Sequence, residues 1–284
     1  MSGAADLRRT LRKFTRSRTA VVGTVIILGF FALAVLAPWI TPYDPLLSDW
    51  IAVREPPSLR HPLGTDDLGR DVLSRVIWGA QTALIAGVAS VLIAVAIGVP
   101  LGLAAGFLRG WVDILISRVA DALLACPQLM LAIALAVFLG ASLVNATVAI
   151  GVSTVPAFIR LARAETIRIR SEMYVEAARS VGNPDRRLLF VHILPNLMPA
   201  MIVQATLAMA VAIIAEAGLS FLGLGRQPPA PSWGQMLTVG KDYIATAPWL
   251  SIWPGLCICL VVFGFNLVGD GLRQALDPRH GDAR

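Results

Sequence analysis

Charge is scarce in this sequence. Only 15% of its 284 residues are Asp, Glu, Lys or Arg, whereas 56% are hydrophobic; soluble domains run at about 25% and 45–50%. With a mean hydropathy of +0.72, the composition excludes an ordinary soluble domain. Cysteine is scarce as well: Cys126, Cys257 and Cys259 all fall in apolar runs, which argues against a disulfide framework and against a thiolate metal site. Three catalytic signatures are missing too. There is no Gly-x-x-x-x-Gly-Lys-Ser/Thr phosphate loop, no His-Glu-x-x-His and no Gly-x-Ser-x-Gly, so neither ATP hydrolysis nor intramembrane hydrolysis has a motif to rest on.

What the chain has instead is uninterrupted apolar sequence. Charge-free runs cover residues 19–43, 76–108, 122–159, 188–215 (with His192) and 243–269, each longer than the roughly 20 residues that cross a bilayer. The third is too long for one span and weakens at "GASLVNAT", residues 140–147, so it reads as two. Six spans follow, at about 20–40, 82–108, 114–139, 142–159, 197–221 and 250–272. The first has a basic prefix and an "ALA" at residues 32–34, like a signal peptide, but its apolar run continues to Ile40 and reads as an uncleaved anchor.

The basic residues set the orientation. Arg8, Arg9, Arg12, Lys13, Arg16 and Arg18 precede the first span, seven arginines lie between Arg160 and Arg187, and Arg109, Arg118, Arg273, Arg279 and Arg284 fall on the same side. The other side holds Arg54, Arg60, Arg70, Arg75, Arg226 and Lys241. The tail 1–19, the segment 160–196 and the tail 273–284 are therefore expected in the cytoplasm, and the loops 41–81 and 222–249 outside. The formal net charge of +6 then reflects topology and anionic membrane lipid rather than nucleic acid.

Several stretches carry local expectations. "HPLGTDDLGRDVLSR", residues 61–75, reads as a surface turn leading into a helix, with Asp67 or Asp71 suited to the helix dipole of its first turn; a lone His61 beside carboxylates is a weak argument for metal. Gly98, Gly102 and Gly106 place three bare patches on one face of the second span, where small residues favour close helix contact, and Pro100 is expected to kink it. Asp113, Arg118 and Asp121 open the third span, close enough to the interface or to each other to be satisfied without a proton path, and Pro127 follows. Glu216 is the one ionisable residue of the fifth span. It reads either as a pathway or gate residue facing a partner or water, or as a helix-end carboxylate at the outer interface. The Pro- and Trp-rich segment 225–249 reads as a loop folded back on the spans, with Trp233, Trp249 and Trp253 as interfacial anchors.

The polar interruption at 174–196, "YVEAARSVGNPDRRLLFVHILPN", is the exception to the greasy pattern. Met173, Ala177 and Val181, with Tyr174 and Ala178, repeat at helical spacing, and Glu172, Glu176, Arg179 and Ser180 take the other faces. Gly182 suits a left-handed helix end, and Asn183-Pro184 suits the cap and first residue of a second helix. The predicted element is a helix–turn–helix elbow too short and polar to enter lipid. On physical grounds alone it fits a helix lying on the membrane surface as well as one that docks on a partner.

This pattern resembles the EAA loop of ABC-importer permeases: Glu-Ala-Ala, three residues, Gly, nine residues, then Ile-x-Leu-Pro. Glu176, Ala177, Ala178, Gly182, Leu194 and Pro195 match, and His192 replaces the Ile, as in the peptide-permease branch. "HPLGTDDLGRDVLSRVIWGA", "RAETIRIRSEMYVEAARSVG" and "EAGLSFLGLGRQPPAPSWGQML" are likewise similar to the C-type subunit of dipeptide and oligopeptide importers, and nickel-permease relatives share much of this. The resemblance spans most of residues 20–276.

It implies an all-α membrane protein of six transmembrane helices with the type I ABC-importer fold and a cytoplasmic coupling helix, in a bacterial inner membrane. It further implies a homologous B-type permease as the other half of the pathway, two ATPase subunits that bind ATP and Mg, an extracytoplasmic substrate-binding protein, and no cofactor, metal or catalytic residue in this chain itself. Glu176 and Arg179 would make polar contacts with the ATPase, Tyr174, Ala177 and Ala178 apolar ones, and Gly182 would fix the elbow. The cargo would be dipeptides or short oligopeptides, with nickel or another small solute as the alternative. An ion-coupled secondary transporter would need ionisable groups at mid-membrane, for which only Glu216 offers itself.

Overall fold

A computed structural model describes residues 12–276, and every regular element among them is helical. The labels used below are α1 (Arg18–Ile40), α2 (Val72–Leu108), α3 (Gly110–Leu124), α4 (Gln128–Leu139), α5 (Leu143–Arg170), α6 (Met173–Ser180), α7 (Asp185–Phe221), α8 (Trp233–Asp242) and α9 (Trp249–Leu276). Helices α1, α2, α5, α7 and α9 are each long and apolar enough to cross a membrane, and the bent pair α3–α4 makes a sixth crossing if counted as one. Arg8, Arg9, Arg279 and Arg284, counted above in the basic tails, lie outside the described residues.

Helix boundaries move where capping chemistry overrides hydropathy. Helix α2 starts at Val72 rather than near residue 82, because the Asp71 carboxylate accepts from the Ser74 backbone N–H at 2.8 Å and caps the helix there. Helix α5 is capped by Ser142 and runs on to Arg170, well past 159. The stretch 114–139 is two helices meeting at 89°, because Pro127 disfavours helical backbone at Cys126 and offers no N–H. Cys126 thus sits in the break, outside any helix. Helix α4, with 12 residues, is about 18 Å long and too short alone for a hydrocarbon core of about 30 Å. Asp113 and Asp121 pair across to α5 rather than with each other or Arg118: Arg163 donates to Asp113 at 2.7 Å and Arg160 reaches Asp121 at 2.5 Å.

The centre of the bundle is the α2–α5 contact, with α7 against both. The glycine face of α2 makes it close. A Cβ on Gly98 would lie 2.6 Å from that of Phe158, one on Gly102 2.5 Å from the Ile159 carbonyl oxygen, and one on Gly106 2.7 Å from the Thr166 Cβ. Since lipid tails are as apolar as Leu, this backbone-to-backbone fit supplies the packing energy that burial supplies in water. Val25, Leu28 and Val35 on α1 and Val137 and Phe138 on α4 point outward, as lipid- or partner-facing positions do.

One end of the bundle, called here the loop end, is closed by residues 41–71 and by α8 with its flanks. The stretch read as a surface loop is mostly interior. Asp66 accepts from Arg70 Nε at 2.7 Å and lies 3.4 Å from Arg75 Nε; Arg75 also donates to the Pro45 carbonyl at 2.9 Å. His61 Nδ1 and Asp71 Oδ1 are 3.0 Å apart, and Asp71 also accepts from the Ser74 hydroxyl at 2.7 Å. His61 is thus occupied by one carboxylate, and no group of three or more His, Cys, Asp or Glu converges among the described residues. Trp233 is not an interfacial anchor: it is 1% exposed, its indole N–H donates to the Val76 carbonyl at 2.9 Å, and Phe30 meets its ring edge-on at 5.7 Å. Gly79 leaves the room for it. Trp249 also turns inward, donating to the Thr65 carbonyl at 3.2 Å, because α8 folds back on the spans and carries its aromatic flanks with it.

Candidate functional site

At the opposite end of the bundle, α5 leaves the spans, turns at Ser171–Glu172 and continues as α6. The α6 helix ends in a Schellman motif: Gly182 N–H donates to the Arg179 carbonyl at 3.0 Å and Asn183 N–H to the Ala178 carbonyl at 3.2 Å. Gly182 has φ +85°, left-handed backbone that a residue with a Cβ adopts at a cost. Asn183 does not cap the next helix. Its side chain turns back to the Ala178 carbonyl at 2.9 Å, and Pro184 takes the capping position.

Helix α7 then widens into a π-helical turn at Leu188–Ile193. That turn precedes Pro195, which has no N–H to give and whose ring would crowd the carbonyl four residues back. The His192 carbonyl accepts from Asn196 Nδ2 at 2.7 Å and, more distantly, from the Tyr174 hydroxyl at 3.5 Å. Partial burial, and then the Glu172 charge, push the Tyr174 phenol above its ordinary range, so it stays a neutral donor. Leu194 is half-buried and Pro195 exposed.

The elbow has two unlike faces. Val175 is 3% exposed and packs towards the spans, and Arg179, one helical turn on, shares that face. Met173, Ala177 and Val181 lie on the opposite side; Met173 is 85% and Val181 80% exposed. The apolar spacing read in the sequence is therefore real, but it marks the outer face, and the buried anchor is Val175. Arg179 reaches across the elbow to Asp185 at 3.5 Å. It also lines, with Arg109, Arg170, Glu176 and Phe107, a cavity of about 170 Å³ between α6 and the ends of α2 and α5.

Glu216 lies near the other end of α7 and is 1% exposed, so it is not a solvated helix-end carboxylate. It accepts from the Ser220 hydroxyl at 2.7 Å, and the same hydroxyl accepts from Arg226 N–H at 3.2 Å. This relay ties the end of α7 to the loop before α8. The second carboxylate oxygen, Oε2, has no hydrogen-bond partner among the described residues.

Residues 98–281 match the family described as the binding-protein-dependent transport system inner membrane component, and residues 7–57 match the N-terminal transmembrane domain of oligopeptide transport permease C. The chain belongs to the C-type permeases of the dipeptide and oligopeptide ABC importers. Its relatives include the dipeptide transport system permease protein DppC of Alkalihalophilus pseudofirmus, 44% identical over 96% of this chain and 90% of that one. The glutathione transport system permease protein GsiD of Pectobacterium atrosepticum is 43% identical over 96% and 91%, and the di/tripeptide permease DppC of Pseudomonas aeruginosa 44% over 97% and 93%. The fold is that of the membrane subunit in an inward-facing MetNI methionine ABC transporter structure, with a TM-score of 0.60, 19% identity, and coverage of 72% of this chain and 98% of that one.

The residues of the matched motif do not form one cluster. Glu176 and Arg179 meet at the cavity, Ala177 faces outward, Gly182 closes the turn, and Leu194 and Pro195 lie beyond the π turn. Sequence reading missed Arg109 and Arg170 as members of this site. Arg109 signalled only by following the 76–108 run and Arg170 only as one of seven arginines in 160–187, both of which topology alone accounts for.

Proposed function

We propose that this permease forms half of a pathway for dipeptides or short oligopeptides and is driven through α6 by a separate ATPase subunit. The observation that carries the coupling reading is the outward stripe of Met173, Ala177 and Val181, held on an elbow that Gly182 closes. An apolar stripe on so small and otherwise polar an element suits a groove on a soluble partner. Glu176, exposed at the edge of that stripe, supplies a polar contact, and Tyr174 and Ala178 flank it.

In this reading 1–19, the coupling segment 160–196 and 273–284 are cytoplasmic, loops 41–81 and 222–249 face outward, and the transmembrane domain is 20–272. A B-type permease completes the pathway, two ATPases bind ATP and Mg, and an extracytoplasmic binding protein delivers cargo. Glu216, through Ser220, holds the turn at the outer end of α7 as a gate-side positioning residue.

The names of the relatives favour peptides, and two of the three above would equally suit glutathione or a tripeptide. Reconstitution with the cognate B-type permease, ATPases and binding protein tests the reading. Uptake of a labelled dipeptide, a longer peptide, glutathione and nickel is compared with ATP present or with only a proton gradient. ATP-dependent uptake of a dipeptide is the expected result. Uptake driven by the proton gradient without ATP, or uptake of nickel but no peptide, would overturn it.

A further inference from the structure

Three guanidinium groups from different parts of the chain converge beside α6. Arg109 forms the sharp turn between α2 and α3, Arg170 ends α5, and Arg179 is on the span-facing side of α6; all three line the 170 Å³ cavity, whose floor includes Val175. Arg170 is fixed in place, with Nη1 donating to the Phe107 carbonyl at 2.6 Å and the guanidinium 5.4 Å from the Phe107 ring centroid. Glu176 is the one carboxylate among the lining residues. Asp185 reaches Arg179 at 3.5 Å from an exposed position across the elbow.

Arg170 is half-buried and Arg109 and Arg179 are exposed; like charges gathered in this way repel, and the cavity mouth stays open to an anion that would join them. A tetrahedral phosphate fits both the volume and the donors, because guanidinium forks bind its oxygens in pairs. The depth of the site indicates where that phosphate comes from. Leu108 and Trp111, on either side of the Arg109 turn, are both exposed, and an outward Trp beside an Arg at a span end is the pattern of a side chain at headgroup level. The cavity also lies on the span side of α6, away from the Met173–Val181 face.

We infer that Arg109, Arg170 and Arg179 bind the phosphate of an anionic membrane lipid, which clamps the coupling helix to the ends of α2 and α5. The inference rests on the cytoplasmic placement of α6, which puts the site in the inner leaflet, but not on the docking of Met173 or Val181. A bound lipid here bridges two spans and α6, so it stiffens the joint through which force would pass.

The test uses the assembled transporter, purified in mild detergent and returned to nanodiscs of phosphatidylethanolamine with or without phosphatidylglycerol. Native mass spectrometry reads retained phosphatidylglycerol, and ATP turnover is measured in parallel. Arg109→Gln and Arg170→Gln are each expected to lower retention about fivefold, the factor one basic side chain contributes at an anionic surface. Arg109→Lys restores most of it, and Arg118→Gln, an exposed position elsewhere on α3, changes nothing. Turnover in wild type rises with phosphatidylglycerol, and this response disappears in the Gln variants even where their thermal stability equals wild type.

Equal retention in wild type and in Arg109→Gln/Arg170→Gln overturns the site. Displacement of the lipid by millimolar inorganic phosphate would assign the pocket to a free anion instead. Loss of the ATPase subunits from the double variant with lipid retention unchanged would assign it to an acidic group of that partner. Labelling of Val181→Cys only from outside sealed vesicles of inverted orientation, or only from intact cells, reports the side of α6 separately, so a wrong topology is distinguishable from a wrong ligand.

Discussion

At the loop end, Asp66 sits between Arg70 and Arg75, His61 is held by Asp71, and Arg75, only 2% exposed, finds carbonyl partners in Pro45 and Pro229. At the α6 end, Arg109, Arg170 and Arg179 share a cavity whose one lining carboxylate is Glu176, Asp185 reaches Arg179 from outside it, and Met173 and Val181 stand open. The first region pairs these buried charges within the chain. The second leaves both charge and apolar surface unmatched, which is what a surface completed by other molecules looks like. The same residue types, arginines with carboxylates, are buried and paired in one place and largely exposed in the other.

Removing an internal counter-charge should therefore hurt most. Asp66→Ala leaves the buried Arg75 without its carboxylate and Arg70 with only Asp67 at 3.5 Å, a change that costs about 3–5 kcal/mol. The thermal unfolding midpoint of the purified chain should fall steeply, and folded yield with it, while the same truncation of the exposed Glu176 should leave both near wild type. If Asp66→Ala were as stable as Glu176→Ala, the contrast between the two ends would be lost.

Gly182→Ala is a smaller and differently distributed effect. Nothing lies within 4 Å of the added Cβ, so the penalty is the left-handed backbone alone, about 1–2 kcal/mol. It falls on the elbow and not on the bundle. Coupling of ATP turnover to uptake should drop severalfold with the unfolding midpoint almost unchanged; a midpoint shift like that of Asp66→Ala would show that the elbow is part of the fold.

The smallest effect is at Asp67. Burial, and then the Asp66 charge, raise its pKa above the ordinary 3.8. The folded state thus holds this proton more tightly than the unfolded one, and stability is lost as pH rises through the folded value. Asp67→Asn should be slightly more stable than wild type at neutral pH, with the difference closing as pH falls below the ordinary carboxylate range. A gap that grows on acidification would reverse the assigned cause.

Much of this was legible in the residues. Apolar runs located the spans, the four-residue spacing of Gly98, Gly102 and Gly106 located the central contact, and Gly182 marked the end of α6. What failed was anything that depends on which face meets what. Asp71 as a cap, invisible to hydropathy, moved the start of α2. The i, i+4 pairing of Asp66 with Arg70 was written in "DDLGRD" but looks the same on a solvated loop. Met173, Ala177 and Val181 gave the correct period but left the side open, because periodicity does not distinguish a face buried in the chain from one left for a partner. Trp233 looked like an anchor since an aromatic at a span end and one folded under a loop have the same local sequence.

The central claim is that the outward stripe of α6 is the surface a second subunit covers. With Cys126, Cys257 and Cys259 replaced by Ser, single cysteines at Met173→Cys and Val181→Cys, and at Ile114→Cys on the exposed face of α3, are treated with a short bifunctional thiol reagent in membranes holding the assembled transporter. Cross-links to the ATPase subunit from positions 173 and 181, and none from 114, are the predicted result. Assembly and ATP-driven uptake without any cross-link at 173 or 181 would contradict it.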